Sequence, residues 1–175
     1  MKKLIKPYLQ GDLDSYCGLY SMVNIAHYLT GPLTQNQAED LMTYMLYILG
    51  QKDLAENVFS EGLGLQSIAF LAKTVLLARY GITYRKPFHL GQYPTIGGVV
   101  NRLRHVTLSR GYIALIAIEG KYSHWVPITN ITDKSLICFD SSDLKLLPID
   151  QISTNENSTK THILYPRHCY VFKKP

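Results

Sequence analysis

A chain of 175 residues, 46 % hydrophobic and 18 % charged, can bury a full core and is too apolar for a disordered tail. Its formal net charge of +5 invites a nucleic-acid reading, but Lys2, Lys3, Lys6, Lys173 and Lys174 sit at the two ends and the other basic residues are scattered. No DNA- or RNA-reading motif accompanies them, so they are read as a solvated basic surface and nucleic acid is set aside as a partner.

The three cysteines, Cys17, Cys138 and Cys169, are an odd number with no C-x-x-C pair. That argues against a disulfide framework and for a reducing compartment. Met1-Lys2-Lys3 reaches Pro7 without an apolar run, so no signal peptide is expected. Every apolar stretch is broken well short of the ~20 residues a membrane span needs, so no membrane partner is expected.

In chain order, the polar segment from Gln10 to Tyr16 gives way to a helix from Cys17, with Leu19, Tyr20, Val23, Ala26 and Tyr28 at helical spacing and Gly31-Pro32 closing it. Thr34-Gln35-Asn36-Gln37 has the form of a capping box before a second helix over Ala38–Leu49, stopped by Gly50. Residues 51–64 read as a loop, Leu65–Tyr80 as a third helix closed by Gly81, and Gly97–Val106 as a fourth. Gly97-Gly98 has neither the G-x-G-x-x-G nor the Walker spacing, so no phosphate loop is present.

From Tyr112 the pattern turns to strands. Tyr112–Ile118 is a continuous apolar run suited to a central strand, and His124–Ile131 follows. After Thr132-Asp133-Lys134-Ser135 comes Leu136–Asp140, then a polar loop over Ser153–Thr161 and one or two short strands over Ile163–Phe172. Helices followed by strands predict an α+β fold, with N-terminal helices packed on a C-terminal antiparallel sheet. A single domain over 1–175 is expected, helical over about 15–110 and sheet over about 111–173.

Cys17 is the leading candidate for chemistry. A thiol in the first turn of a helix lies at the positive end of the macrodipole, which favours the nucleophilic thiolate. Cys138 and Cys169 lie in apolar runs and read as buried spectators. Of six histidines, His27 is ten residues along the same helix from Cys17, roughly 15 Å away. His89, His105, His162 and His168 stand in loops or among basic residues without an acidic partner. His124 opens a strand directly after a turn, and that strand returns towards Asp140. A hairpin with an odd loop near Thr132 pairs His124 with Asp140, whereas a two-residue turn at Asp133-Lys134 brings Asp143 opposite it. Asp140 is favoured as the strand-end carboxylate, with Asp143 as the alternative.

The sequence Gln10…Cys17-Gly18-Leu19 at a helix start, then His124-Trp125, then Phe139-Asp140, resembles the papain-like cysteine peptidases. It is most similar to the bacterial double-glycine leader peptidases attached to bacteriocin exporters, and to related domains that act as polymorphic toxins between bacteria. The resemblance implies Cys17 as nucleophile, His124 as base, Asp140 as orienter and Gln10 as oxyanion donor beside the Cys17 N–H, with no cofactor or metal. Gln10 lies seven residues before Cys17, one more than usual in that fold, which calls for a bulge in Gly11-Asp12-Leu13. It further implies a protein or peptide substrate cut after Gly-Gly, action in a bacterial cytoplasm after delivery by a secretion system, and a cognate immunity protein. The same apparatus also serves amidases, deamidases and transglutaminases, and an inactive relative would be a peptide-binding module.

Overall fold

The computed structural model describes residues 5–11, 16–54, 58, 61–89, 94–107, 111–121 and 123–175. Five α-helical segments and eight strands are present among them. Helices α1 (Cys17–Thr30) and α2 (Gln35–Gly50) come first, and the capping box at Thr34 is formed: its side chain accepts from Gln37 N–H and the Gln37 side chain accepts from Thr34 N–H. The second helix runs through Gly50 instead of stopping at it.

The expected third helix is three consecutive segments, α3 (Leu65–Leu71), a π-helical stretch (Ala72–Leu77) and α4 (Ala78–Tyr80). Gly81 ends it at φ 66°, a left-handed conformation glycine takes at no steric cost. A short strand β1 (Thr83–Arg85) follows, which the sequence reading did not anticipate, and then α5 (Ile96–Thr107).

The remaining strands are β2 (Tyr112–Gly120), β3 (His124–Ile131), β4 (Ser135–Cys138), β5 (Leu146–Pro148), β6 (Ile152–Ser153), β7 (His162–Leu164) and β8 (Tyr170–Lys173). The main sheet order is β1-β8-β2-β3-β4-β5, with β7 continuing beyond β8 on the same flank of β2. Its ladders are antiparallel, as expected, except that β6 pairs with β7 in parallel. The unforeseen β5 is three residues long, and like β1 it offers too short an alternation to stand out from loop sequence.

The apolar run in β2 is explained by cover on both faces. Ile113, Leu115 and Ala117 join one core with residues of α1, α2 and α3, while Ala114, Ile116 and Ile118 join a second core with Val99, Val100 and Leu103 of α5. The result is α+β, with the helical N-terminal part on one face of the sheet and α5 on the other. Helix α1 is enclosed: Leu19, Met22, Ile25 and Ala26 are fully buried, and so are the polar Ser21 and Asn24.

Candidate active site

Cys17 occupies the first position of α1, 9 % exposed. The leading N–H groups of a helix have no partner within it, so donors are presented where the thiol stands. Two features fix the height and angle of this helix end. One turn on, the buried Ser21 hydroxyl donates to the Trp125 carbonyl at 2.8 Å, tying α1 to the residue after His124. At Gly18, an added Cβ would lie 2.7 Å from Leu63 Cβ, so the loop carrying Leu63 packs directly on the helix backbone. That loop is held from the other side by the Trp125 indole, whose N–H donates to the Leu63 carbonyl at 2.6 Å.

His124 lies at the first position of β3, 7 % exposed, and its Nε2–H donates to Asp140 Oδ1 at 2.7 Å. Asp140 is 1 % exposed. Its second oxygen accepts from the Ser142 N–H at 2.9 Å and from the Ser142 hydroxyl. With Nε2 committed to Asp140, Nδ1 is the nitrogen left for the hydrogen bond that His124 makes with the Cys17 side chain. The three residues singled out from sequence are therefore joined in the order thiol, imidazole, carboxylate.

Burial pulls the His124 pKa down, but the Asp140 hydrogen bond, the Cys17 hydrogen bond and the charges of both outweigh it and raise the group to about 9. Burial acts in the opposite sense on Asp140, and the hydrogen bonds and charge of His124 together with both Ser142 donors hold it below the ordinary carboxylate range. At neutral pH the pair is an imidazolium beside a carboxylate.

The choice between Asp140 and Asp143 is decided by a bulge. The β3–β4 turn does consist of Asp133-Lys134, since Ile131 faces Leu136 and the Thr132 N–H donates to the Ser135 carbonyl. Between Ile128 and Asn130 the register then slips, so that Ile128 faces Cys138 and the Phe139 N–H reaches the Pro127 carbonyl. Asp140 then lies diagonally across from His124, within side-chain reach. Asp143 sits in a left-handed turn at φ 61°, largely exposed, and pairs with Lys145 at 3.5 Å.

Gln10 is placed beside the carboxylate end of this array. Its N–H donates to the Ser141 carbonyl at 2.9 Å and its Oε1 accepts from the Ser141 hydroxyl at 3.0 Å. The bulge expected in Gly11-Asp12-Leu13 falls largely on residues 12–15, outside the described residues.

Sequence reasoning missed several supporting groups. Asn24 clamps the N-terminal segment, accepting from the Tyr8 N–H at 2.8 Å and donating to its carbonyl at 3.1 Å. His27, set aside from sequence for its distance from Cys17 along the helix, is buried: Nδ1 accepts from the Leu33 N–H at 2.9 Å and the ring stacks on Phe139. Burial lowers its pKa, so it is neutral at pH 7. A helical period of buried polar residues at 21, 24 and 27 was the available signal, hidden because Ser, Asn and His score as surface residues. His168 was set aside from sequence for lack of an acidic partner. It lines, with Cys17, His124, Trp125, Ala117, Glu119 and the loop from Glu61 to Leu65, a cleft of about 250 Å³ that opens onto the thiol.

Cys138 is pushed up to about 12 by burial and the nearby Asp140 charge, and Cys169 is pushed up by complete burial. Both are inert thiols at neutral pH. Among the described residues, no group of three or more His, Cys, Asp or Glu is arranged to hold a metal, and no helix is long and apolar enough to cross a membrane. A scan of protein-family models finds no match to the chain, and a search of curated proteins finds none either.

Proposed function

We propose that this chain is a cysteine peptidase of papain-like type, with Cys17 as nucleophile, His124 as proton shuttle, Asp140 as orienter and Gln10 with the Cys17 N–H as oxyanion donors. The observation that carries the reading is the hydrogen-bonded line from Cys17 through His124 to Asp140, with Cys17 and His124 lining a cleft. Nucleophilic thiol chemistry requires those groups in that order.

The steps follow from the connectivity. Cys17 Sγ attacks the carbonyl carbon of the scissile amide, and the electron pair of the C=O bond moves onto oxygen, where the two donors receive it. His124 Nδ1–H gives its proton to the leaving nitrogen as the C–N bond breaks, leaving a thioester on Cys17. Water, deprotonated by the now neutral imidazole, attacks the thioester; the acid departs and Sγ is restored. Throughout, Asp140 keeps the Nε2 proton in place, so Nδ1 alone exchanges protons.

Leu63 and Trp125, tied to each other, wall the cleft beside Cys17, which favours small side chains next to the scissile bond. With the resemblance noted above, this supports cleavage after Gly-Gly. We extend the proposal to an interbacterial toxin that acts on a cytoplasmic protein of the target cell and is restrained by a cognate inhibitor covering the cleft.

Peptides containing a Gly-Gly site test the chemistry. Turnover should vanish in Cys17→Ala and His124→Ala and persist at a reduced level in Asp140→Asn, with Asp143→Ala close to wild type. Full activity of Cys17→Ala ends the reading, and mass spectrometry of the products separates hydrolysis from deamidation or amide transfer. Expression in a bacterial cytosol should arrest growth for the wild type and not for Cys17→Ala; harmless expression of an active enzyme ends the toxin extension alone.

A further inference from the structure

Carrying the β3–β4 register past the bulge, from Ile128 opposite Cys138 and Pro127 beside Phe139, places Ser142 across from His124. Its side chain behaves accordingly. Ser142 Oγ lies 3.3 Å from His124 Nε2 and donates to Asp140 Oδ2, while the Ser142 N–H donates to the same oxygen at 2.9 Å. One hydroxyl thus closes a ring with the imidazole and the carboxylate: it accepts a share of the Nε2 proton and returns its own proton to the acid.

The position is informative because Ser142 itself is exposed, whereas the Asp140 and His124 side chains beneath it are 0 % and 6 % exposed. A hydroxyl is the outermost layer over a buried ion pair. Without it, Asp140 Oδ2 keeps the Ser142 N–H alone, and the carboxylate can swing about its last torsion, which is soft. Water would reach the same spot, but water is not tethered and brings no fixed direction.

Resting on the cysteine-peptidase reading, we propose that Ser142 is a positioning residue of the site: its hydroxyl locks the Asp140 carboxylate against His124 and holds the imidazole in the Nε2–H form that presents Nδ1 to Cys17. It touches no reacting atom and acts through Asp140. The charged or titratable neighbours of that carboxylate are His124 from β3, Cys17 through His124 from α1, and Cys138 from β4.

The test needs no knowledge of the natural substrate. The rate of iodoacetamide alkylation of Cys17, followed by peptide mapping, is measured against pH on the full chain for wild type, Ser142→Ala, Ser142→Thr and His124→Ala. Because both Ser142 donors help to hold Asp140 low, loss of the hydroxyl should move the acid limb of the profile up by about one pH unit. Ser142→Thr, which keeps the hydroxyl, should restore the wild-type limb. A role confined to folding would lower stability in both variants and leave the limb unmoved.

On a Gly-Gly peptide, Ser142→Ala should cut kcat about three- to tenfold with KM little changed. A Ser142→Ala profile that superimposes on wild type, while His124→Ala abolishes the rapid alkylation, overturns the role of Ser142 and leaves the peptidase reading standing. A wild-type profile that His124→Ala does not alter overturns both.

Discussion

At His124, burial alone would hold the imidazole neutral, but the hydrogen bonds and charges of Asp140 and Cys17 overcome it and raise the group to about 9. Two pH windows follow. The folded value of His124 lies above its ordinary 6.5, so its contribution to stability is complete below pH 6.5 and is lost as pH rises through about 9. Asp140 is lowered from 3.8, so its contribution is complete above that value and is lost as pH falls through the lower folded one. The difference in Tm between wild type and Asp140→Asn should therefore be largest between about pH 4 and 6.5 and shrink towards pH 10. A constant difference from pH 6 to 10 contradicts the ion pair. That Cys17, His124 and Asp140 come together was legible because Cys17 opens α1, His124 opens β3 and Asp140 follows β4 by two residues. The support from Ser142 was not, since an exposed serine in a turn has no sequence mark that distinguishes it from any other.

The elements place these residues through contacts that periodicity does not report. Helix α1 is the centre of the arrangement, and its Gly18 is the clearest test. Alanine has the higher helix propensity by about 1 kcal/mol, so a solvent-facing glycine replaced by alanine would stabilise the chain. Here the new Cβ meets Leu63 Cβ at 2.7 Å and displaces the wall of the cleft. Gly18→Ala should lower stability by roughly 1–3 kcal/mol, read as a lower denaturation midpoint, and depress peptide turnover with it. A raised midpoint would show that the loop yields freely. On the same helix, Asn24→Ala removes both side-chain bonds to Tyr8 and should cost about 2 kcal/mol. Hydrogen exchange at the Tyr8 amide should accelerate by at least tenfold, and unchanged protection would mean that the segment is held elsewhere. The capping box of α2 could be read directly because Thr34 and Gln37 act within four residues. The bulge in β3 could not: one extra residue opposite β4 depends on what the partner strand does, and it reverses the prediction that a two-residue turn selects Asp143.

On the scale of the whole molecule, the order of helices before strands carried the α+β assignment, because, the short β1 apart, a 3.6-residue period gives way to apolar strand runs at Tyr112. The assignment of faces is a tertiary matter. Alternate residues of β2 feed two different cores, one under α1 and one under α5, and nothing local in Ile113–Ile118 tells the two apart. The same arrangement explains why chain segments far apart converge on one cleft. Ser21 reaches Trp125, Trp125 reaches Leu63, and Gln10 reaches Ser141, so three ties draw on helix, strand, loop and N-terminal segment. Trp125→Phe keeps the ring but leaves the Leu63 carbonyl without the indole donor. It should lower stability by about 1–2 kcal/mol and raise KM more than it lowers kcat, because the loop it frees is a wall and not a reacting group. A pure kcat defect would place Trp125 in the chemistry instead.

The central claim is that Cys17, alone of the three cysteines, is a nucleophile made reactive by His124. Brief exposure of the native chain to iodoacetamide at neutral pH, followed by peptide mapping, tests it most directly. The account predicts a single adduct on Cys17, formed much more slowly in His124→Ala, with Cys138 and Cys169 unmodified until the chain is denatured. Faster labelling of Cys138 or Cys169 in the native state, or labelling of Cys17 at the same rate with and without His124, would contradict it.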